Sequence, residues 1–99
     1  MILQEREQII HVDKSHELQK YTIKYALLTA QNRYTYAKFY CGKYYISVMY
    51  NQDRTVQISS NYRNNYKFEK EINKLENMKY NIGNVVYFIW LWMNKFRKF

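Results

Sequence analysis

The sequence predicts an α+β protein in which one helix precedes a three-stranded antiparallel β-meander and two helices follow it, in the order α-β-β-β-α-α. Three observations predict this class. Apolar residues recur every three or four positions over residues 14–32, the period changes to two from Arg33 onward, and helical spacing returns after residue 65. A sheet with one apolar face must be covered, so we expect the helices to pack on it.

The first helix is predicted over residues 14–32, with Ser15 as its N-cap. Its apolar face is expected to consist of Leu18, Tyr21, Tyr25 and Leu28, which follow one another at spacings of three and four. A strand from Tyr21 to Leu27 is the alternative, because apolar residues also alternate there. A short helix is expected over residues 2–10.

Two turns set the register predicted for the meander. The first is a two-residue turn at Cys41-Gly42 and the second lies at Asn51-Gln52-Asp53. They pair Phe39 with Tyr44, Ala37 with Ile46, Val48 with Val56, and Ile46 with Ile58. Both turns bury the same apolar face, and a slip of one residue in either would expose it.

Two helices are predicted after the meander. Phe68, Ile72, Leu75 and Met78 fall at helical spacing in the first. The second segment, residues 84–99, contains nine consecutive apolar residues from Val85 to Met93. An element that is apolar all round is usually buried, so we expect a core element that also forms a homodimer contact. The interface residues are expected to be Trp90, Trp92 and Phe96.

Length and composition limit the class of protein. At 99 residues the chain has the size of one domain, and residues 1–99 are expected to fold as a single unit. Its 47% hydrophobic content is enough for a core and argues against disorder, and no run of about 18 apolar residues is present to span a bilayer. Cys41 is the single cysteine and no signal peptide opens the chain, so a cytoplasmic location is expected, in the host if the gene is viral.

The positive charge is concentrated in the middle of the chain. Of a net charge of +8, residues 18–67 contribute +7, and Asp53 is their only acidic residue. The same stretch holds ten of the 12 tyrosines. This combination favours an anionic partner. The Tyr-, Asn-, Lys- and Ile-rich composition favours a gene from a virus or mobile element.

The outer face of the meander and its edges carry the candidate nucleic-acid-binding residues. Lys and Arg can neutralise phosphates, Tyr can stack on bases, and Gln can contact base edges. The predicted residues are Arg33, Tyr34, Tyr36, Lys38, Tyr40, Lys43, Tyr45, Arg54, Gln57 and Arg63. The sequence therefore predicts a small basic accessory protein that binds DNA or RNA phosphates through this face.

Three alternatives stay open. Tyr and Arg also dominate protein interfaces, so the same face or the Trp-rich C-terminus can instead dock a host or viral protein. Trp90 and Trp92 beside Lys95 would suit a segment lying on a membrane surface, although this stretch lacks the polar face expected there. Tyrosines are also simply favoured strand residues.

No catalytic or cofactor motif is found in the sequence. His11, Asp13, His16 and Glu17 gather potential metal ligands, but their spacing does not match a zinc site. We therefore expect no enzyme activity, no metal and no cofactor. A small nuclease that is metal-dependent or uses only Lys, Arg, Tyr and His is the remaining enzymatic alternative.

The element order α-β-β-β-α resembles that of double-stranded-RNA-binding domains, and the rhythm of residues 44–78 resembles the arm-binding domains of some phage integrases. The chain departs from the former at the start of the helix after the sheet. It reads Lys67-Phe68-Glu69-Lys70-Glu71, where those domains carry a basic signature. The resemblance to double-stranded-RNA-binding domains is therefore limited to the order of the elements.

Overall fold

A computed structural model describes residues 8–11, 16–63 and 65–99, with side chains from Gln19 onward. Its elements are β1 (Gln8–His11), α1 (His16–Arg33), β2 (Tyr36–Cys41), β3 (Tyr44–Tyr50), β4 (Val56–Ser60), α2 (Tyr66–Glu76) and α3 (Ile82–Arg97). The predicted order of one helix, three antiparallel strands and two helices is confirmed.

Strand β1 is an addition to the predicted fold. It pairs in parallel with β2, so that the sheet has the order β1-β2-β3-β4 and α1 forms the crossover between the first two strands. The helix predicted over residues 2–10 is therefore wrong at residues 8–10, and the rest of that segment lies outside the described residues. Four residues at a sheet edge are too few for a periodic pattern to identify.

Residues 16–33 are helical, which settles the choice between helix and strand, but α1 buries a different face from the predicted one. The buried face is Ile23, Ala26, Leu27 and Ala30, whereas Tyr21, Tyr25 and Leu28 are exposed. Small alanine side chains let the helix lie close to the sheet and α3, and tyrosine rings in the same places would hold it away. The side chain of Leu18 lies outside the described residues.

Both hairpins differ from the predicted register by two residues. The first loop is Gly42-Lys43, so Cys41 pairs with Tyr44 and Phe39 with Ile46. In the second hairpin the pairs become Tyr50 with Val56, Val48 with Ile58, and Ile46 with Ser60. Gly42 has φ 59°, which glycine adopts at the first position of such a loop without steric cost. Because side chains alternate with period two, a shift of two residues leaves the predicted buried face unchanged.

All three helices contribute to one core on the inner face of the sheet. Ala37, Phe39, Ile46 and Val48 provide the floor, and residues of α1, α2 and α3 cover it. Helices α2 and α3 each begin at an asparagine cap, whose side chain accepts a hydrogen bond from the backbone N–H three residues later: Asn65 from Phe68 and Asn81 from Asn84.

The apolar C-terminal segment is a core helix. Trp92 and Phe96 are almost fully buried within the chain, which corrects their assignment as interface residues because neither offers surface to a second copy. Trp90 is half-buried beneath Lys20, whose Nζ lies 4.2 Å from its ring centroid, and a dimer contact there stays a prediction. None of the described helices has the length and apolar character needed to cross a membrane.

Candidate nucleic-acid interface

The sheet has an outer face that points away from the helices of the described chain. Residues on this face alternate with the buried residues of each strand and are half-buried or exposed. They are Tyr36, Lys38, Tyr40, Tyr45, Ser47, Met49, Gln57 and Ser59. We call this set the outer face.

Strand pairing arranges the outer face in three rows across the sheet. The middle row runs from Lys38 through Ser47 to Ser59. One flanking row pairs Tyr40 with Tyr45, and the other joins Tyr36, Met49 and Gln57. Because serine is much smaller than tyrosine or methionine, we infer that Ser47 and Ser59 form the floor of a shallow groove across the strands.

Lys38 lies at one end of this groove between two aromatic rings. Its Nζ is 4.2 Å from the ring centroid of Tyr45 and 5.2 Å from that of Tyr40, and the two ring centroids are 5.9 Å apart. Cation–π attraction at such distances orients the ammonium group above the sheet. A charge and two flat rings are therefore presented together.

The acidic side chains that the structure describes lie away from the outer face. Asp53 sits in the β3–β4 turn, where the N–H and hydroxyl of Thr55 donate to its carboxylate and lower its pKa. Glu69, Glu71 and Glu76 belong to α2, and Glu76 Oε2 accepts from the backbone N–H of Ile58 at 2.7 Å. These four acidic residues therefore belong to the β3–β4 turn and to α2.

The ten predicted nucleic-acid-binding residues do not form one continuous surface. Five of them, Tyr36, Lys38, Tyr40, Tyr45 and Gln57, share the outer face. Lys43 is exposed in the β2–β3 loop, and Arg63 follows β4 and donates its Nε–H to Ser60 O at 3.3 Å. Arg33, Tyr34 and Arg54 lie at the opposite end of the sheet from Lys43.

Two features were missed by sequence reasoning. Ser47 and Ser59 form the groove floor, and their only signal was a small polar residue at outward positions of two paired strands. The second feature is an exposed stripe on α1, with Tyr21, Tyr25 and Leu28 exposed by 73%, 67% and 41%. Their helical spacing was visible in the sequence but pointed to the core.

A buried pair of tyrosines lies at the Tyr34 end of the sheet. The Tyr50 hydroxyl donates to the Tyr80 hydroxyl at 2.7 Å, and their rings meet edge to face with centroids 4.9 Å apart. Burial, together with this hydrogen bond, raises the pKa of Tyr50 far above its ordinary value near 10, and burial raises the pKa of Tyr80. Both hydroxyls are therefore neutral at physiological pH.

The potential metal ligands at His11, Asp13, His16 and Glu17 have side chains outside the described residues, so this feature of the sequence is not tested. Among the side chains that are described, no group of three or more His, Cys, Asp or Glu is close enough to hold a metal ion. Comparison of the chain with protein-family models, curated proteins and solved structures finds no match.

Proposed function

We propose that this protein is a non-enzymatic accessory protein that binds DNA or RNA through the outer face of its sheet. The observation that carries the proposal is the position of Lys38 beside the rings of Tyr40 and Tyr45, which brings a positive charge and two aromatic rings together on one face. The ammonium group would neutralise a phosphate, and the rings would stack on bases. We place this activity in the cytoplasm, or in the host cytoplasm if the protein is viral.

The groove favours unpaired nucleic acid. Bases of a duplex are stacked inside the helix and cannot reach tyrosines on a flat sheet, whereas a single strand can turn its bases onto them. The serine floor between two rows of larger side chains leaves room for a backbone to cross the strands. We therefore propose that single-stranded DNA or RNA is preferred over duplex of the same length.

Fluorescence anisotropy with fluorescent single-stranded and double-stranded probes tests the outer face. Lys38→Glu should weaken single-strand binding and reduce the dependence on salt between about 50 and 200 mM, since it removes a phosphate contact. Tyr45→Ala should weaken binding by about 5- to 150-fold, which corresponds to one stacked base.

Two matched variants on α2 serve as controls. Lys70→Glu makes the same change of net charge, and Tyr66→Ala removes a ring that is 82% exposed. Both should bind within about twofold of the unmodified protein, because a screened charge far from the contact contributes little. Equal losses in Lys38→Glu and Lys70→Glu would show that only net charge matters, and the outer face would not be the site.

The α1 stripe favours protein docking as a second candidate function. Tyr21, Tyr25 and Leu28 form an exposed face beside Lys24, and exposed tyrosines are frequent anchors of protein interfaces. The combined Tyr21→Ser and Tyr25→Ser variant should lose a protein that the unmodified chain captures from nuclease-treated extract, while Tyr66→Ser keeps it. Retention of the same protein by both variants would argue against this face.

A further inference from the structure

A cleft of 240 Å³ opens at the Tyr34 end of the sheet, apart from the groove of the outer face. The end of α1, the β3–β4 turn and the α2–α3 loop meet there. Its lining is mainly polar and includes Asn32, Tyr34, Asn51, Arg54 and the hydrogen-bonded pair of Tyr50 and Tyr80. Polar and aromatic side chains from three separate elements therefore converge on one cleft.

Two cleft residues have a backbone conformation that their residue types disfavour. Tyr34 has φ 50° and Arg54 has φ 70°, and these are the two non-glycine residues with positive φ in the described chain. Backbone bonds hold both in place. Thr35 N donates to Ala30 O at 3.0 Å around Tyr34, and Tyr80 N donates to Arg54 O at 2.7 Å. Glycine would adopt either conformation with less strain.

The side chains of Tyr34 and Arg54 make no packing contribution that would explain why these residue types, and not glycine, occupy the two strained positions. Tyr34 is 57% exposed, and Arg54 is also exposed. Neither side chain forms a hydrogen bond, ion pair or ring contact with the residues that the structure describes. Strained residues that contribute little to packing are frequent where a ligand is held. The ring and the guanidinium group are therefore both available at the rim of the same cleft.

We propose that the cleft binds one nucleotide unit. The planar guanidinium of Arg54 would contact the phosphate, the Tyr34 ring would stack on the base, and the amide of Asn32 would contact the base edge. The volume lies below the range of about 300–1,000 Å³ that is usual for drug-sized ligands, so the cleft would enclose part of one unit and leave its base on the exposed Tyr34 ring. The unit can be a free mononucleotide or the phosphorylated end of a strand, and in the latter case the proposal rests on the proposed function.

Tyr34→Gly and Arg54→Gly separate ligand binding from folding. Each substitution removes the proposed ligand contact and also relieves the backbone strain at a residue with positive φ. The thermal unfolding midpoint should therefore stay the same or rise. Calorimetric titration with adenosine and uridine monophosphates should show binding to the unmodified protein that falls by about 5- to 150-fold in Tyr34→Gly, the effect of one stacked base. Lys70→Glu, which changes an exposed charge on α2 outside the cleft, should bind monophosphates like the unmodified protein.

Oligonucleotides with and without a 5′-phosphate distinguish the two sources of the nucleotide. Preference for the phosphorylated end that is lost in Arg54→Gly would assign the cleft to strand ends, even without binding of free monophosphates. The inference is overturned if neither monophosphate saturates the protein by about 1 mM and the 5′-phosphate preference is either absent from the unmodified protein or unchanged in Arg54→Gly. Oligonucleotide binding that is still sensitive to Lys38→Glu would then leave the proposed function standing. If Lys38→Glu does not change oligonucleotide binding while the monophosphates still bind, the proposed function of the outer face is contradicted and the inference about the cleft stands.

Discussion

Replacement of Trp92 by alanine is expected to lower the free energy of unfolding by about 3–5 kcal/mol. Trp92 is 2% exposed, and its ring centroid lies 4.8 Å from that of Phe68. Its Nε1–H also donates to Glu71 Oε2 at 2.6 Å, so the substitution removes the donor of a half-buried carboxylate as well as the ring. Domains of this size are stable by about 5–15 kcal/mol, so the loss is a large share of the total.

Trp90→Ala is the matched control for this prediction. The same side chain is removed two residues away, but Trp90 is half-buried and is covered on one side by Lys20. We expect a loss of about 1–2 kcal/mol, from its smaller buried area and one cation–π contact. Urea denaturation followed by circular dichroism measures both. Equal losses in the two variants would contradict the conclusion that Trp92 is a core residue while Trp90 lies at the edge of the core.

The stability of the protein is expected to fall above pH 10 because of Tyr50. Its pKa is raised in the folded protein, while in the unfolded chain it ionises near its ordinary value of 10. The folded state therefore holds a proton that the unfolded state releases. The contribution of Tyr50 is fully present below pH 10 and is lost as the pH rises further, by about 1.4 kcal/mol per pH unit. Tyr80, whose pKa is also raised, adds to the same trend.

Urea denaturation from pH 9 upward, combined with tyrosinate absorbance, checks this dependence. Tyr50→Phe is expected to be less stable at neutral pH by about 1 kcal/mol, since it loses the hydrogen bond to Tyr80. Its stability should nevertheless decline less steeply above pH 10. Tyr66→Phe changes an exposed tyrosine and should keep the original slope. The same slope in Tyr50→Phe as in the unmodified protein would mean that Tyr50 ionises freely in the fold.

Residue type and spacing predicted the location of only part of the candidate site. Alternation placed Tyr36, Lys38, Tyr40, Tyr45 and Gln57 on one outward face, and the structure has them there. The remaining predicted residues were grouped with them because they are basic or aromatic and close in sequence. Turns separate them in space, and three of them instead lie at the end of the sheet where the cleft opens.

The choice of the buried face of α1 also required tertiary structure. The helix has two apolar faces, and spacing alone favoured the one with larger side chains. Packing against both the sheet and α3 selects the face with Ala26 and Ala30, because their small side chains allow the close approach that two simultaneous contacts need. The tyrosines of the other face are exposed as a consequence.

The amino-acid sequence by itself determined the order α-β-β-β-α-α and the buried face of the meander, because both follow from local periodicity and from side chains that alternate across a sheet. Only the tertiary structure decided the pairing register, strand β1 and the cleft. A shift of two residues preserves every side-chain direction, so the pattern cannot detect it. Parallel pairing of β1 with β2 and the meeting of α1, the β3–β4 turn and the α2–α3 loop are long-range events, and local sequence carries no signal for them.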